Sequence, residues 1–232
     1  MFDAPTPEEL SAIALSLRVA AVAAAASLPV GIIVAWLLAR GRFPGRSLLD
    51  ALVHLPLVMP PVVTGYLLLL AFGRKGPLGA LLEQQFGIVL AFRWTGAALA
   101  AAVMGFPLMV RAIRLSIEAV DPRLEQAATT LGAWRIGAFF SITLPLALPG
   151  VLAGLVLAFA RALGEFGATI TFVGNIPGVT QTVPSAIYTY TQVPGGELAA
   201  LRLTIISVII AFAALLVSEW LARRARRRTA AP

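Results

Sequence analysis

The 232 residues contain no cysteine, which removes disulfides, thiolate metal ligands and cysteine nucleophiles. The one histidine, His54, cannot build a metal site alone and is expected to make a single local hydrogen bond. Paired carboxylates, a catalytic triad and clustered metal ligands are all missing. So is the GxxxxGK[ST] phosphate loop, so no nucleotide site is expected on this chain. Charge is scarce as well. Charged residues make up 12%, where a soluble domain carries about 25%. The hydrophobic share is 59% and the mean hydropathy is +0.90. A protein core cannot absorb that much apolar sequence, so lipid must be the second solvent. These features point to an all-α integral membrane protein that carries out no reaction itself.

Five apolar runs have near the roughly 20 residues needed to cross a bilayer core. They lie at about Val19 to Ala39, Ala51 to Phe72, Thr95 to Ile113, Ala138 to Ala160 and Leu203 to Trp220. The first lacks a basic leader and outlasts the roughly 7–15 apolar residues of a signal peptide, so it is expected to persist as a span, with Arg18 at its outer end. Residues 163–200 hold only short apolar stretches broken by GNIPG and VPGG. They are expected to form re-entrant or interfacial half-helices, the alternative being one more membrane hairpin. The whole of 1–232 is expected to form a single transmembrane domain.

The net charge of +7 is distributed by side. Loops 40–50 and 111–137 and the tail from residue 223 hold twelve arginines, whereas the opposite loops hold Arg74, Lys75, Arg93 and Arg202. That excess assigns the first set to the cytoplasm, with the N-terminus outside and the C-terminus inside. The RRARRR tail, residues 223–228 within the basic segment 223–232, suits an anionic lipid surface rather than nucleic acid. Trp134, Trp220 and Tyr66 suit the membrane interface.

One polar stretch, DPRLEQAATTLGAWRI, interrupts the apolar sequence at residues 121–136. Asp121 is a candidate N-cap, Pro122 fits the first helical position and Gly132 can close the helix in a left-handed conformation. The enclosed helix is about 15 Å long, too short to cross a membrane or to be stable alone. Leu124, Ala128 and Leu131 share one face, while Arg123, Gln126 and Thr130 lie largely elsewhere. Such a helix must dock, either on its own spans or in a groove of a partner.

Extended to EQAATTLGAWRIGAFFSITLP, this stretch resembles the signature of the membrane subunits of ABC-type importers. Ala127 and Ala128 match its alanine pair, Gly132 its glycine, and Ile142, Leu144 and Pro145 its closing positions. The signature's acid falls on Gln126, with Glu125 one residue earlier and so rotated by about 100° around the helix. Together with LLDALVHLPLVMPPVVTGYLLL, MGFPLMVRAIRLSIEAVDPRLEQAATTLGA and LAFARALGEFGATITFVGNIPG, the chain is similar to molybdate ABC transporter permease subunits from Leu15 to about Arg224. Sulfate and other oxyanion permeases are near relatives.

The resemblance implies a type I ABC importer permease fold and a pair of identical permease chains in a bacterial inner membrane. Two ATP-binding subunits would carry ATP and Mg²⁺, and a periplasmic binding protein would deliver molybdate or tungstate. Residues 121–132 would be the coupling helix, with Arg123, Leu124, Glu125, Gln126, Ala127, Ala128, Leu131, Gly132, Ile142, Leu144 and Pro145 as the coupling set. A self-sufficient secondary transporter or channel is the competing class, and would leave this helix unexplained.

A second candidate lies at membrane depth, in ARALGEFGATIT. Arg161 and Glu165 stand one turn apart, Gly164 and Gly167 permit bending, and Thr169 and Thr171 offer hydroxyls. Gly164 to Thr171 either lines the pathway or outer gate, or the pair is a structural ion pair at a helix end. Pro56, Pro60, Pro61, Pro107, Pro145 and Pro149 interrupt the spans, as mobile joints or static kinks. Gly105, Gly150 and Gly154 suit close helix packing.

Overall fold

The computed structural model describes residues 5–229, with the side chains of residues 218, 219 and 221–229 left aside. The side chains of the tail arginines at 223–228, and residues 230–232 altogether, read above as a basic cytoplasmic tail, therefore lie outside what the structure describes. Everything regular among the described residues is helical.

Helix α1 runs Pro7–Arg40, twelve residues ahead of the expected start. A capping box sets that start. The Thr6 hydroxyl accepts from the Glu9 amide and the Glu9 carboxylate accepts from the Thr6 amide, with Pro7 pre-shaped for the first position. A search for apolar runs passes over such a polar cap. Arg18 consequently sits well inside α1 rather than at its end, with its guanidinium 3.8 Å above the Trp94 ring. That contact keeps a cation tolerable at this depth.

The second expected span is not one helix. It divides into α2, Arg46–Val58, and α3, Pro61–Phe72, bent 115° apart. Met59 and Pro60 are extended, with ψ of 145° and 133°. Each precedes a proline, whose ring disfavours the helical conformation in the residue before it. Pro56 sits inside α2, which continues through it to Val58.

A short α4, Pro77–Phe86, leads to α5, Trp94–Glu118, the most buried of the span helices. Its Ala97, Ala98, Ala100 and Ala101 are buried in a cluster with residues of α1, α3 and the later helices 144–163 and 167–173, while Met109, Val110, Ile113 and Ile117 fill the other half of the core. After α6, Pro122–Thr130, and α7, Arg135–Ala138, a π turn at Phe139–Thr143 runs into α8, Leu144–Leu163. The α5–α8 contact is close because glycine faces it. A Cβ on Gly154 would lie 2.9 Å from the Met109 carbonyl oxygen, and one on Gly150 would collide with Ser116. At Gly105 the approach is looser, 3.1 Å from the Ala158 carbonyl oxygen.

Residues 163–200 contain α9, Gly167–Val173, and α10, Val183–Thr191. Neither reaches the roughly 20 residues of a span, so this region follows the half-helix expectation and not the hairpin. Helix α9 packs on α3, with Gly65 against Ala168. Helix α10 is tied to α1 where the Val183 amide donates to Ser16 Oγ at 2.8 Å. Helix α11, Glu197–Thr229, is tied to α1 by Arg202, whose Nη2 and Nε lie 2.5 and 3.0 Å from the two carboxylate oxygens of Glu9. Among the described residues, four helices are long and apolar enough to cross a membrane, and the bent α2–α3 pair reaches that length and hydropathy only when the two are taken together, as a broken span or a re-entrant loop.

Candidate functional site

Helix α6 forms as its ends dictate. Asp121 Oδ1 accepts from the Arg123 amide at 2.9 Å. At the other end Gly132 takes φ +93°. There the Ala133 amide donates to the Ala128 carbonyl at 3.0 Å and the Gly132 amide to Thr129 at 3.1 Å. This pair of bonds is the Schellman closure, and it consumes carbonyls that would otherwise lack partners.

The helix is not held to its own chain by apolar burial. No residue of α6 is buried, Leu124 is exposed and Leu131 is 89% exposed. Trp134 and Ile136, just beyond it, are exposed as well. Of the face that unites Leu124, Ala128 and Leu131, only Ala128 is half-buried. Arg123, Gln126 and Ala127 are exposed. The apolar surface that makes a nine-residue helix worth forming is thus turned away from the spans.

What holds α6 instead is one carboxylate. Glu125 Oε1 accepts from Arg40 Nε at 3.2 Å and from Thr143 Oγ1 at 2.7 Å. Arg40 is the last residue of α1, and Thr143, fully buried, belongs to the π turn. Arg40 Nη2 also donates to the carbonyls of Ile117 and Val120, at 3.1 and 2.6 Å, closing the C-terminal end of α5. One guanidinium and one carboxylate therefore join α1, α5, α6 and the π turn. The one-residue offset now has a geometric meaning: Glu125 points inward to this junction and Gln126 outward.

The π turn is where the closing positions of the signature lie. The Leu144 amide reaches back to the Phe139 carbonyl, five residues earlier. Pro145 follows, with no amide to offer. Ile142 and Leu144 are half-buried and Pro145 exposed, and α6 packs directly on this turn. The widened turn aims Thr143 at Glu125.

The membrane-depth stretch closes on itself. Arg161 Nη1 lies 2.7 Å from Glu165 Oε2, while Glu165 Oε1 accepts from the Ala168 amide at 2.8 Å. Both carboxylate oxygens of a residue that is 2% exposed are used. One holds the end of α8 and the other the first turn of α9. Thr169 and Thr171 donate to the Phe166 and Gly167 carbonyls within α9, at 2.8 and 2.9 Å, so their hydroxyl protons are occupied. Gly167 touches Pro61 of α3. Gly164 is exposed and Thr171 half-buried. These residues do come together, as a brace at the α8–α9 turn.

Sequence reading missed Arg40 and Thr143, since nothing marks contacts spanning 85 and 18 residues. It also missed the set on α2 and α5 in which Arg114 pairs with Asp50 at 3.1 Å and Glu118 at 2.8 Å. Only the i,i+4 spacing of Arg114 and Glu118 signalled it. His54 Nδ1 lies 2.8 Å from the Asp50 carbonyl oxygen, the expected local bond. Among the described residues no cluster of His, Asp and Glu has the composition of a metal site.

Comparison with known proteins places this geometry in a family. Residues 27–227 match the family described as binding-protein-dependent transport system inner membrane component. The chain is 63% identical to the molybdenum transport system permease protein ModB of Escherichia coli K12, over 96% of this chain and 97% of that protein. It is 59% identical to the ModB of Haemophilus influenzae, covering 95% and 96%. The sulfate transport system permease protein CysT of Salmonella typhimurium is 40% identical, over 80% of this chain and 67% of that protein. Among solved structures, a bacterial ABC transporter that imports the polysaccharide alginate superposes with a TM-score of 0.74 at 18% identity, covering 94% and 80% of the two chains. At that identity the likeness concerns the fold.

Proposed function

Since this chain belongs to the family of binding-protein-dependent transport system inner membrane components, we propose that it works as the permease subunit of an ATP-driven molybdate importer. It is a multi-pass protein of the bacterial inner membrane and, like its relatives, a transport subunit. Two copies would enclose the pathway, two ATP-binding subunits would sit below them, and a periplasmic oxyanion-binding protein would dock above. ATP and Mg²⁺ belong to the ATP-binding subunits, and molybdate or tungstate is cargo. The observation that carries this reading is α6, a short helix with its apolar residues outward and its single acid latched inward.

The geometry suggests how force would pass. A partner's groove covers Leu124, Leu131 and Trp134, whose burial would offset the entropy of ordering so short a helix. When the ATP-binding subunits close, α6 moves, and Glu125 pulls on α1 through Arg40 and on α8 through Thr143. Spans that share one junction then rock as rigid bodies between inward-open and outward-open states. Arg123 and the Ala127–Ala128 pair would complete the docking face, with Gln126 at its edge toward α1, while Gly132, Ile142, Leu144 and Pro145 keep α6 and the π turn in register. At the outer end, the Arg161–Glu165 brace fixes the angle between α8 and α9. Within Gly164 to Thr171, Gly164 and Thr171 retain the surface for lining a gate.

The test is uptake of labelled molybdate into proteoliposomes, with and without the ATP-binding subunit. Vanadate-sensitive uptake that requires the ATP-binding subunit and the binding protein is expected, with sulfate competing weakly. Uptake by this chain alone, driven by an ion gradient, would overturn the reading, and stronger competition by sulfate would change the substrate.

The same reading puts α6 in the cytoplasm and the start of α1 outside. Because the chain has no cysteine, single-cysteine variants report sidedness without background. Thr130→Cys should react with impermeant maleimide only from the cytoplasmic face, and Glu8→Cys only from the periplasmic face. The opposite pattern would invert the assigned topology.

A further inference from the structure

A cleft of about 610 Å³ opens beside the Glu125 junction, between the end of α1 and α6. Arg40, Arg42 and Arg135 line it, with Trp36 and Leu37 forming its apolar side. Glu125 also faces it, but that carboxylate is matched by Arg40 at 3.2 Å. Arg42 and Arg135 are exposed and join no ion pair among the described residues. The cleft is therefore left with two uncompensated cations.

Gln126 stands on the same wall. A carboxylate there would repel an anion, whereas an amide can donate to one. Depth adds a further constraint. Trp36 and Leu37 belong to the last turn of a span helix that ends at Arg40. The apolar side thus lies at the hydrocarbon boundary and the arginines at headgroup level.

We propose that this cleft is an oxyanion site for a tetrahedral phosphate-type group, held by Arg42 and Arg135 with Gln126 as a neutral donor. Two sources share that chemistry. One is the headgroup of an anionic phospholipid in the cytoplasmic leaflet, whose chain would lie along Trp36 and Leu37. The other is a free oxyanion in the cytoplasm. Either would bridge α1 to α7 beside the junction that moves α6, and so stiffen the coupling. The proposal rests on the cytoplasmic placement of α6 given above, and not on which substrate is carried.

The test reads binding rather than transport, on the assembled transporter in nanodiscs. Phosphatidylglycerol retained after exchange into phosphatidylcholine is quantified for the wild type, R42Q/R135Q and R42K/R135K. Retention about thirty-fold weaker in the glutamine variant, with the lysine variant near wild type, is expected from two arginines at a membrane surface. If wild type and variants retain lipid equally, binding of inorganic phosphate and of molybdate is measured by calorimetry in phosphatidylcholine alone. Binding there that R42Q/R135Q abolishes assigns the free oxyanion as the source. Identical behaviour of wild type and R42Q/R135Q in both arms overturns the site. A wrong substrate or sidedness would show in the uptake and maleimide measurements, without altering these binding results.

Discussion

Replacing Glu125 with alanine should abolish coupling while leaving the fold intact, with ATP-driven uptake falling tenfold to a hundredfold. Glu125 Oε1 holds Arg40 and Thr143, and among the described residues no other side chain of α6 bonds outside its own segment. Hydrogen bonds to a charged group contribute about 1.5–3 kcal/mol each. These are partly solvent-screened, because Arg40 and Glu125 keep 19% and 25% of their side-chain surface exposed. The lower half of that range therefore applies. Folding survives because Arg40 still donates to the Ile117 and Val120 carbonyls, and α6 keeps both caps. The predicted phenotype is ATP hydrolysis that continues while transport stops. Glu125→Gln should be intermediate, since its amide oxygen can still accept from Thr143 but carries no charge for Arg40. Uptake by Glu125→Ala within twofold of wild type, with hydrolysis equally normal, would show that α6 moves the spans by another route.

At the opposite end, Arg202→Ala is expected to be the most destabilising single change. Glu9 is 1% exposed and binds the guanidinium through both carboxylate oxygens. Deleting one member of a buried pair leaves the other's charge unmatched and out of solvent, here with the Thr6 amide still donating to Glu9, at about 3–5 kcal/mol. Arg202 also links α11 to α1, and α11, which otherwise packs on α8 and α10, buries less of its surface than the other spans. Thermal unfolding in detergent should show a clearly lowered midpoint for Arg202→Ala. Glu9→Leu combined with Arg202→Leu should recover much of the loss, because no charge is then left buried. A double variant as unstable as the single one would mean that the tie acts through geometry rather than charge.

Much of this was readable one residue at a time. Apolar runs located the crossing units, because bilayer thickness imposes their length. Asp121, Pro122 and Gly132 bounded α6, because caps are local chemistry. The consecutive prolines at 60 and 61 marked the break between α2 and α3, although its 115° angle depends on α3 lying against α9. The polar start of α1 was passed over since a capping box adds no hydrophobicity. Arg18 was misplaced for the same reason, and its Trp94 contact joins residues 76 positions apart.

The orientation of Glu125 belongs to a different kind of information. A pattern of residue types reports that an acid precedes two alanines, and a rotation of about 100° decides what it touches. Whether it faced a partner or its own chain depended on where Arg40 and Thr143 end up, which is set by how α1 and α8 pack around α5. The same holds for Arg161 and Glu165. Their spacing foretold the pair, while the second bond of Glu165, to the Ala168 amide three residues on, depends on the chain breaking between α8 and α9.

Composition and short-range chemistry thus determined the solvent, the number of crossing units, the caps and the family signature, each a property of neighbours in the chain. Tertiary structure decided which way the one acid of α6 points, what α1 is fastened to, and which arginines are left without a counter-charge. Those are questions of direction and distance between segments tens of residues apart. They are answered only when the helices pack.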